Sequence, residues 1–243
     1  MSRRRTSPLR PPAENVGKPG ITLSWQTFVM VVLEVTVEAY QTMRQKGNAH
    51  HGWPEDTFTL NLFKYILPLA SRHPIGLNVK PQVFVFTPEM ETGEVSTNEA
   101  KKIDIQLWLG SWENHDRIYF AWEAKLIADR YAHESYEHLV AEYITDGIVD
   151  RFIDGKYSSE VNDAGMLGYV LVGDVSTIVD QINQSMHAYQ RLRKLLEDDH
   201  LKRTDPIGSF TDAYCSYHKR VFCGRAIRLS HLLLTFDFVS GSA

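Results

Sequence analysis

The chain has 243 residues, 43% of them hydrophobic, with a formal net charge of −4 and a pI near 6.2. That length and apolar content suit one α/β domain with a sizeable core. The acidic balance argues against an indiscriminate nucleic-acid binder, which is usually basic, although a local basic surface and a metal can replace global charge. No apolar run approaches the length of a membrane span, and the arginine-rich N-terminus lacks the apolar core of a signal peptide. The two cysteines, Cys215 and Cys223, fit a reduced, cytoplasmic compartment.

Residues 1–20 hold Ser2-Arg3-Arg4-Arg5 and Pro8, Pro11, Pro12 and Pro19, the composition of a disordered basic tail. Such a tail is either an arm that touches nucleic acid or a solvated end. Residues 21–243 are expected to form the single domain. A first helix is predicted over Thr22 to Gln45, capped by Ser24, with Phe28, Val31, Val32, Val35 and Tyr40 on its apolar face. Gly47 to Gly52 breaks it, and His50 and His51 in that stretch read as loop residues. Pro54 opens a second helix that runs to about Leu69, with Glu55 and Asp56 at the positive end of its dipole. Leu77 to Phe86 is a predicted strand, and Pro81 places it at an edge or a strand start. Thr87 to Glu99 reads as a polar hairpin loop.

The next stretch is the unusual one. In Lys101 to Leu109, Ile103, Ile105, Leu107 and Leu109 are expected to point one way, and Asp104, Gln106 and Trp108 the other. Gly110 to Asp116 has turn chemistry. Arg117 to Ile127 is a second strand, apolar at its start as a central strand should be, yet it carries Glu123 and Lys125 on one face near its end. Asp104 lies upstream by about the distance that pairs two such strands across the turn. Two carboxylates and one ammonium are thereby brought to one end of a sheet. Paired carboxylates hold Mg²⁺ and leave coordination positions for water and phosphate. A lysine beside them orients or deprotonates the attacking water, or stabilises charge on the phosphate.

Asp104 followed by Glu123-Ala124-Lys125 across a strand–turn–strand resembles the PD-(D/E)xK nuclease superfamily, the restriction-endonuclease-like fold. The similarity extends in order of elements from Trp53 to Gly173. Ile103 stands where the named proline of that family would sit, and many members lack it. The resemblance implies a mixed central β-sheet flanked by helices and a Mg²⁺- or Mn²⁺-dependent endonuclease, with DNA as its nucleic-acid partner. It implies Asp104, Glu123 and Lys125 as catalytic residues and Asp104, Glu123 and the Ala124 carbonyl as metal ligands. A glutamate on the helix before the first core strand often joins such sites, and Glu55 fits, with Asp56 second; alternatively both acids only complement the helix dipole. Stand-alone bacterial proteins of this kind often act in defence against phage or foreign DNA beside a partner that senses the trigger, and often dimerise, so a protein partner and a homo-oligomer are expected. Two alternatives stand beside this. The charges are an exposed ion pair of little energetic weight, or the chain is a non-catalytic subunit of the same fold that docks nucleic acid or a partner.

Downstream, Ala128 to Tyr157 carries one long helix or two. Tyr136, His138 and Tyr143 could approach the scissile phosphate, but an aromatic stripe is more often core. Arg130, Arg151 and Lys156 are candidates for phosphate-backbone contact. Met166 to Gly173 reads as a buried strand, parallel to a neighbour through the crossover before it. Asp174-Val175-Ser176 caps a helix that runs to about Glu197, with Ile178, Ile182, Met186, Tyr189, Leu192 and Leu196 inward and Arg191, Arg193 and Lys194 outward. Ala213 to Val221 and Ile227 to Phe238 are two final strands. Cys215, His218 and Cys223 fall short of a zinc set for want of a fourth ligand and suitable spacing. No P-loop, nucleophile elbow or Rossmann glycine fingerprint is present.

Overall fold

A computed structural model describes residues 23–84, 102–112, 118–154, 157, 160–193, 199–221, 223–236 and 238. Expectations for the N-terminal tail, the Thr87–Glu99 loop, Lys156, and the side chains of residues 189–197 lie outside the described residues.

The chain folds as an α/β unit with a seven-stranded mixed, open sheet and four helices among the described residues. Helix α1 spans Trp25–Lys46; the Ser24 side chain caps it by accepting from the Thr27 N–H, and Gly47 closes it in the left-handed conformation at φ 63°. Helix α2 spans Glu55–Arg72 and begins directly after Pro54. Helix α3 starts as α-helix at Leu139–Glu142 and widens into π-helix over Tyr143–Ile153. Helix α4 spans Val175–Arg193, and the Asp174 carboxylate caps it by accepting from the Ser176 and Thr177 N–H groups at 2.9 and 3.2 Å. No helix among the described residues is long and apolar enough to cross a membrane.

The strands are β1 Leu77–Phe84, β2 Lys102–Leu109, β3 Phe120–Ile127, β4 Asp163–Val170, β5 Lys202–Arg203, β6 Ala213–Lys219 and β7 Ala226–Thr235. Their order across the sheet is β1-β2-β3-β4-β7-β6-β5. Strand β4 runs parallel to both β3 and β7, and the other pairs are antiparallel. A strand flanked on both sides in this way is buried along its whole length. Pro81 lies in outer strand β1, where its missing N–H leaves no ladder bond unmade toward a further strand.

Two apolar cores cover the two faces. One holds α1 and α2 residues against Ile105, Leu107, Trp122, Ala124, Leu167 and Tyr169. The other holds α3 and α4 residues against Ala121, Ile127, Met166, Leu229 and Leu233. Gly165 is required here, since a Cβ on it would lie 2.1 Å from the Trp122 ring.

Three expectations need correction, and one strand was not expected at all. Ile103 does not share a core with Ile105: it packs with the α3–α4 core, so the alternation of β2 breaks at Asp104. Strand β4 starts at Asp163 rather than Met166. An acid can open this buried strand because Trp25 Nε1–H and Arg228 Nε–H donate to its two oxygens at 2.6 and 2.7 Å. The stretch after β3 is a short 3₁₀ turn at Glu134–Tyr136 followed by α3, much of it π-helical rather than α. The two-residue β5, exposed and charged, has no periodicity to announce it.

Candidate active site

Strands β2 and β3 pair through Ile105↔Trp122, Gln106↔Ala121 and Leu107↔Phe120 and then part. One further step in that register would set Asp104 opposite Glu123. Instead the Asp104 carboxylate enters the opening and accepts the Ala124 N–H at 2.7 Å. The backbone donor that lost its strand partner is thus satisfied by a side chain. This is what the structure records of Ala124 at the site: its amide rather than its carbonyl.

Glu123 is 1% exposed. Its Oε1 accepts from Arg151 Nε at 2.9 Å and lies 3.3 Å from Lys125 Nζ. The Lys125 ammonium also donates to Glu55 Oε1 at 3.0 Å, so it bridges the first turn of α2 to β3. Gly147 of α3 packs beside the lysine stem, and a Cβ there would clash with Met166 Cε at 2.5 Å while only touching Lys125 Cγ at 3.6 Å. Asp104, Glu123, Lys125 and Glu55 therefore form one charge cluster. Among the described residues Asp56 makes no contact with this cluster.

Burial, then the neighbouring Glu123, pushes the Asp104 carboxyl up to about 8, against the pull of the Ala124 N–H and Lys125. Burial raises Glu123 too, while Lys125 and Arg151 draw it back. For Lys125 burial opposes the charge, but Glu123 and Glu55 outweigh it and its pKa is raised. The lysine is therefore held as an ammonium.

Among the described residues no group of three or more His, Cys, Asp and Glu side chains is arranged to hold a metal ion. Two observations nevertheless fit a divalent cation at Asp104 and Glu123. Glu123 Oε2 is buried with no hydrogen-bond partner among the described residues, and the two carboxyls crowd each other's charge. Hard oxygen donors of this kind suit Mg²⁺ or Mn²⁺.

Other candidates go elsewhere. Tyr143 is buried and its hydroxyl pairs with His231 Nδ1 at 2.9 Å. The Tyr136 hydroxyl pairs with His51 Nε2 at 3.0 Å, and exposed His138 lies 3.9 Å from Glu142. Arg130 binds the Gln181 carbonyl and Ser185. Cys215 and Cys223 are free thiols, and His218 belongs to a different group of residues. Ser216 Oγ lies 2.7 Å from both His218 Nε2 and His231 Nε2, and His218 Nδ1 stands 3.5 Å from Asp199. Ser216 is 0% exposed, which closes this Ser–His–Asp arrangement to any substrate.

Sequence reasoning missed that Arg151 is the partner of Glu123, and missed the chain Asp199–His218–Ser216–His231–Tyr143. The first depends on the π-helical register of α3. A period-two pair of polar residues, Ser216 and His218, on an apolar strand was the available signal for the second. No family model, curated protein or solved structure matches the chain.

Proposed function

We propose that the chain is a metal-dependent nuclease of the PD-(D/E)xK type, with a restriction-endonuclease-like core, that hydrolyses phosphodiester bonds of DNA. The observation that carries this is the opening between β2 and β3, where Asp104 and Glu123 converge beside an ammonium and leave Glu123 Oε2 buried without a partner among the described residues. Asp104 and Glu123 would hold Mg²⁺ or Mn²⁺, with the Ala124 carbonyl as a further ligand and Glu55 in support. When bound, such an ion supplies a Lewis acid for the phosphoryl oxygen and a water of lowered pKa. Lys125 would orient the attacking water and stabilise charge on the phosphate; its raised pKa favours this over a role as general base. Glu55 holds the ammonium in place. The role we attach to the activity is defence against phage or foreign DNA, and the net charge of −4 supports a partner that shares the nucleic-acid contact.

The test is nicking of supercoiled plasmid by the purified chain with Mg²⁺ or Mn²⁺ and with EDTA, beside Asp104→Ala and Lys125→Ala. Metal-dependent nicking, lost in both variants with the fold retained, is the expected result. Nicking that persists in both would remove the activity from this site.

A second reading has one observation behind it. Glu123 is already matched by two cations, Lys125 and Arg151, and a closed ion cluster needs no metal. A chain of that kind would be a non-catalytic subunit docking nucleic acid or a protein. Calorimetry separates the two: Mn²⁺ binding that disappears in Asp104→Ala supports the nuclease, and no binding by the wild type supports the subunit.

A further inference from the structure

Arg151 engages Glu123 with one nitrogen. Its Nε donates to Glu123 Oε1 at 2.9 Å, and its guanidinium lies over the Tyr157 ring, 5.5 Å from the centroid. Tyr157 is itself fixed, because its hydroxyl donates to the Lys102 carbonyl. Among the described residues the Nη nitrogens of Arg151 have no hydrogen-bond partner. A guanidinium offers five N–H donors in a planar fork that matches carboxylate or phosphate two at a time. An arginine serving only to neutralise a buried carboxylate would gain most by engaging it with both arms. Here the terminal fork meets no partner among the described residues, the side chain keeps 20% of its surface exposed, and Asp104 is near enough to act on its charge.

We propose, resting on the metal-dependent reading above, that Arg151 exchanges partners during the reaction. It neutralises Glu123 while the carboxylate holds no cation, and its fork turns to the scissile phosphate once a divalent cation takes that role. The reason is electrostatic. Glu123 Oε1 already serves two cations, and a divalent charge on the same carboxylate makes a third positive group there unfavourable. Arg151 is the more exposed of the two side chains, at 20% against 12% for Lys125. Lys125 has a second carboxylate in Glu55 to hold it. The released guanidinium is then placed to stabilise charge developing on the phosphoryl oxygens. Metal and arginine compete for Glu123, and competition is reciprocal: removing one strengthens the other.

The experiment is Mn²⁺ titration calorimetry without DNA, together with plasmid nicking, on the wild type, Arg151→Met and Arg151→Lys. Arg151→Met should bind Mn²⁺ about tenfold tighter and nick at least about a hundredfold more slowly. Arg151→Lys should bind Mn²⁺ as the wild type does and nick about tenfold more slowly, since it keeps the charge and loses the fork. Unchanged or weaker Mn²⁺ binding in Arg151→Met overturns the exchange while a nicking wild type keeps the nuclease reading intact. A wild type that binds no Mn²⁺ removes both. If the wild type binds Mn²⁺ without nicking, the titration alone decides. If Arg151→Met does not fold, wild-type nicking by Arg151→Lys rejects the proposal.

Discussion

At Asp104 the folded chain holds a carboxyl that is largely removed from water and stands beside a second one. Its hydrogen bond from the Ala124 N–H uses an acceptor oxygen that an amide also has. Asp104→Asn therefore keeps the shape and the acceptor while removing a group whose ionised form is disfavoured at this place. It should raise the thermal midpoint by a few degrees, on the order of 1 kcal/mol, and abolish the nicking expected of the proposed nuclease; a lowered midpoint in thermal unfolding would show that the charge is compensated in the fold. The reverse is expected at Arg151, whose removal leaves buried Glu123 with one cation fewer and should cost about 3 kcal/mol in urea unfolding. Asp104, Glu123 and Lys125 were legible in the sequence because ionisable residues among apolar strand positions are conspicuous whatever the packing. Arg151 was not, because a basic residue on a helix is ordinarily solvated, and only the turn count of α3 decides which way it faces.

Among the elements, β4 and the β6–β7 pair give the sharpest expectations. Gly165 of β4 lies against the Trp122 ring, so Gly165→Val must displace a fully buried indole and should cost about 3 kcal/mol or more, measured as a lowered urea midpoint. The buried chain from Asp199 to Tyr143 ties β6 and β7 to the first residue of the π-helix. Burial holds His218 and His231 down to about 3, against 6.5 in the unfolded chain. A group with a depressed folded pKa contributes its stability above the unfolded value and loses it as the pH falls toward the folded one. Stability should therefore decline from pH 6.5 downward, by on the order of 3 kcal/mol per histidine by pH 4. His231→Gln keeps hydrogen-bonding capacity without titrating and should flatten part of that acid limb in urea unfolding followed across pH; an unchanged limb would place the loss elsewhere. Helix α1, helix α2 and strands β1 to β3 were readable from capping residues, periodicity and Pro81. The π-helix was not, because α and π registers share much the same apolar spacing over a few turns. Strand β5 was not, because two exposed charged residues carry no pattern.

For the whole molecule, both cores rest on one sheet, and Trp122 and Ala124 alternate with Ala121 and Ile127 along β3 to serve both. Neither layer of helices can leave without exposing the same strands. Tryptophan fluorescence and far-ultraviolet circular dichroism should therefore report one coincident unfolding transition, and separated midpoints would show that the two layers melt independently. The α/β class was expected from length and apolar content, and helices on both faces only from the resemblance to the nuclease superfamily. The strand order was not, because the placement of β7 between β4 and β6 is a choice among crossovers that periodicity does not see. The outer strands bear on assembly. In β1, Pro81 withholds a donor and Gln82 sits at a positive φ of 47°, while the opposite side ends in Lys202 and Arg203, two exposed cations. Both borders are thus poor templates for an incoming strand, which disfavours fibre-like stacking of copies. If this chain pairs with itself to cut both strands of a duplex, the two copies should meet through helices or loops and keep their sheets separate.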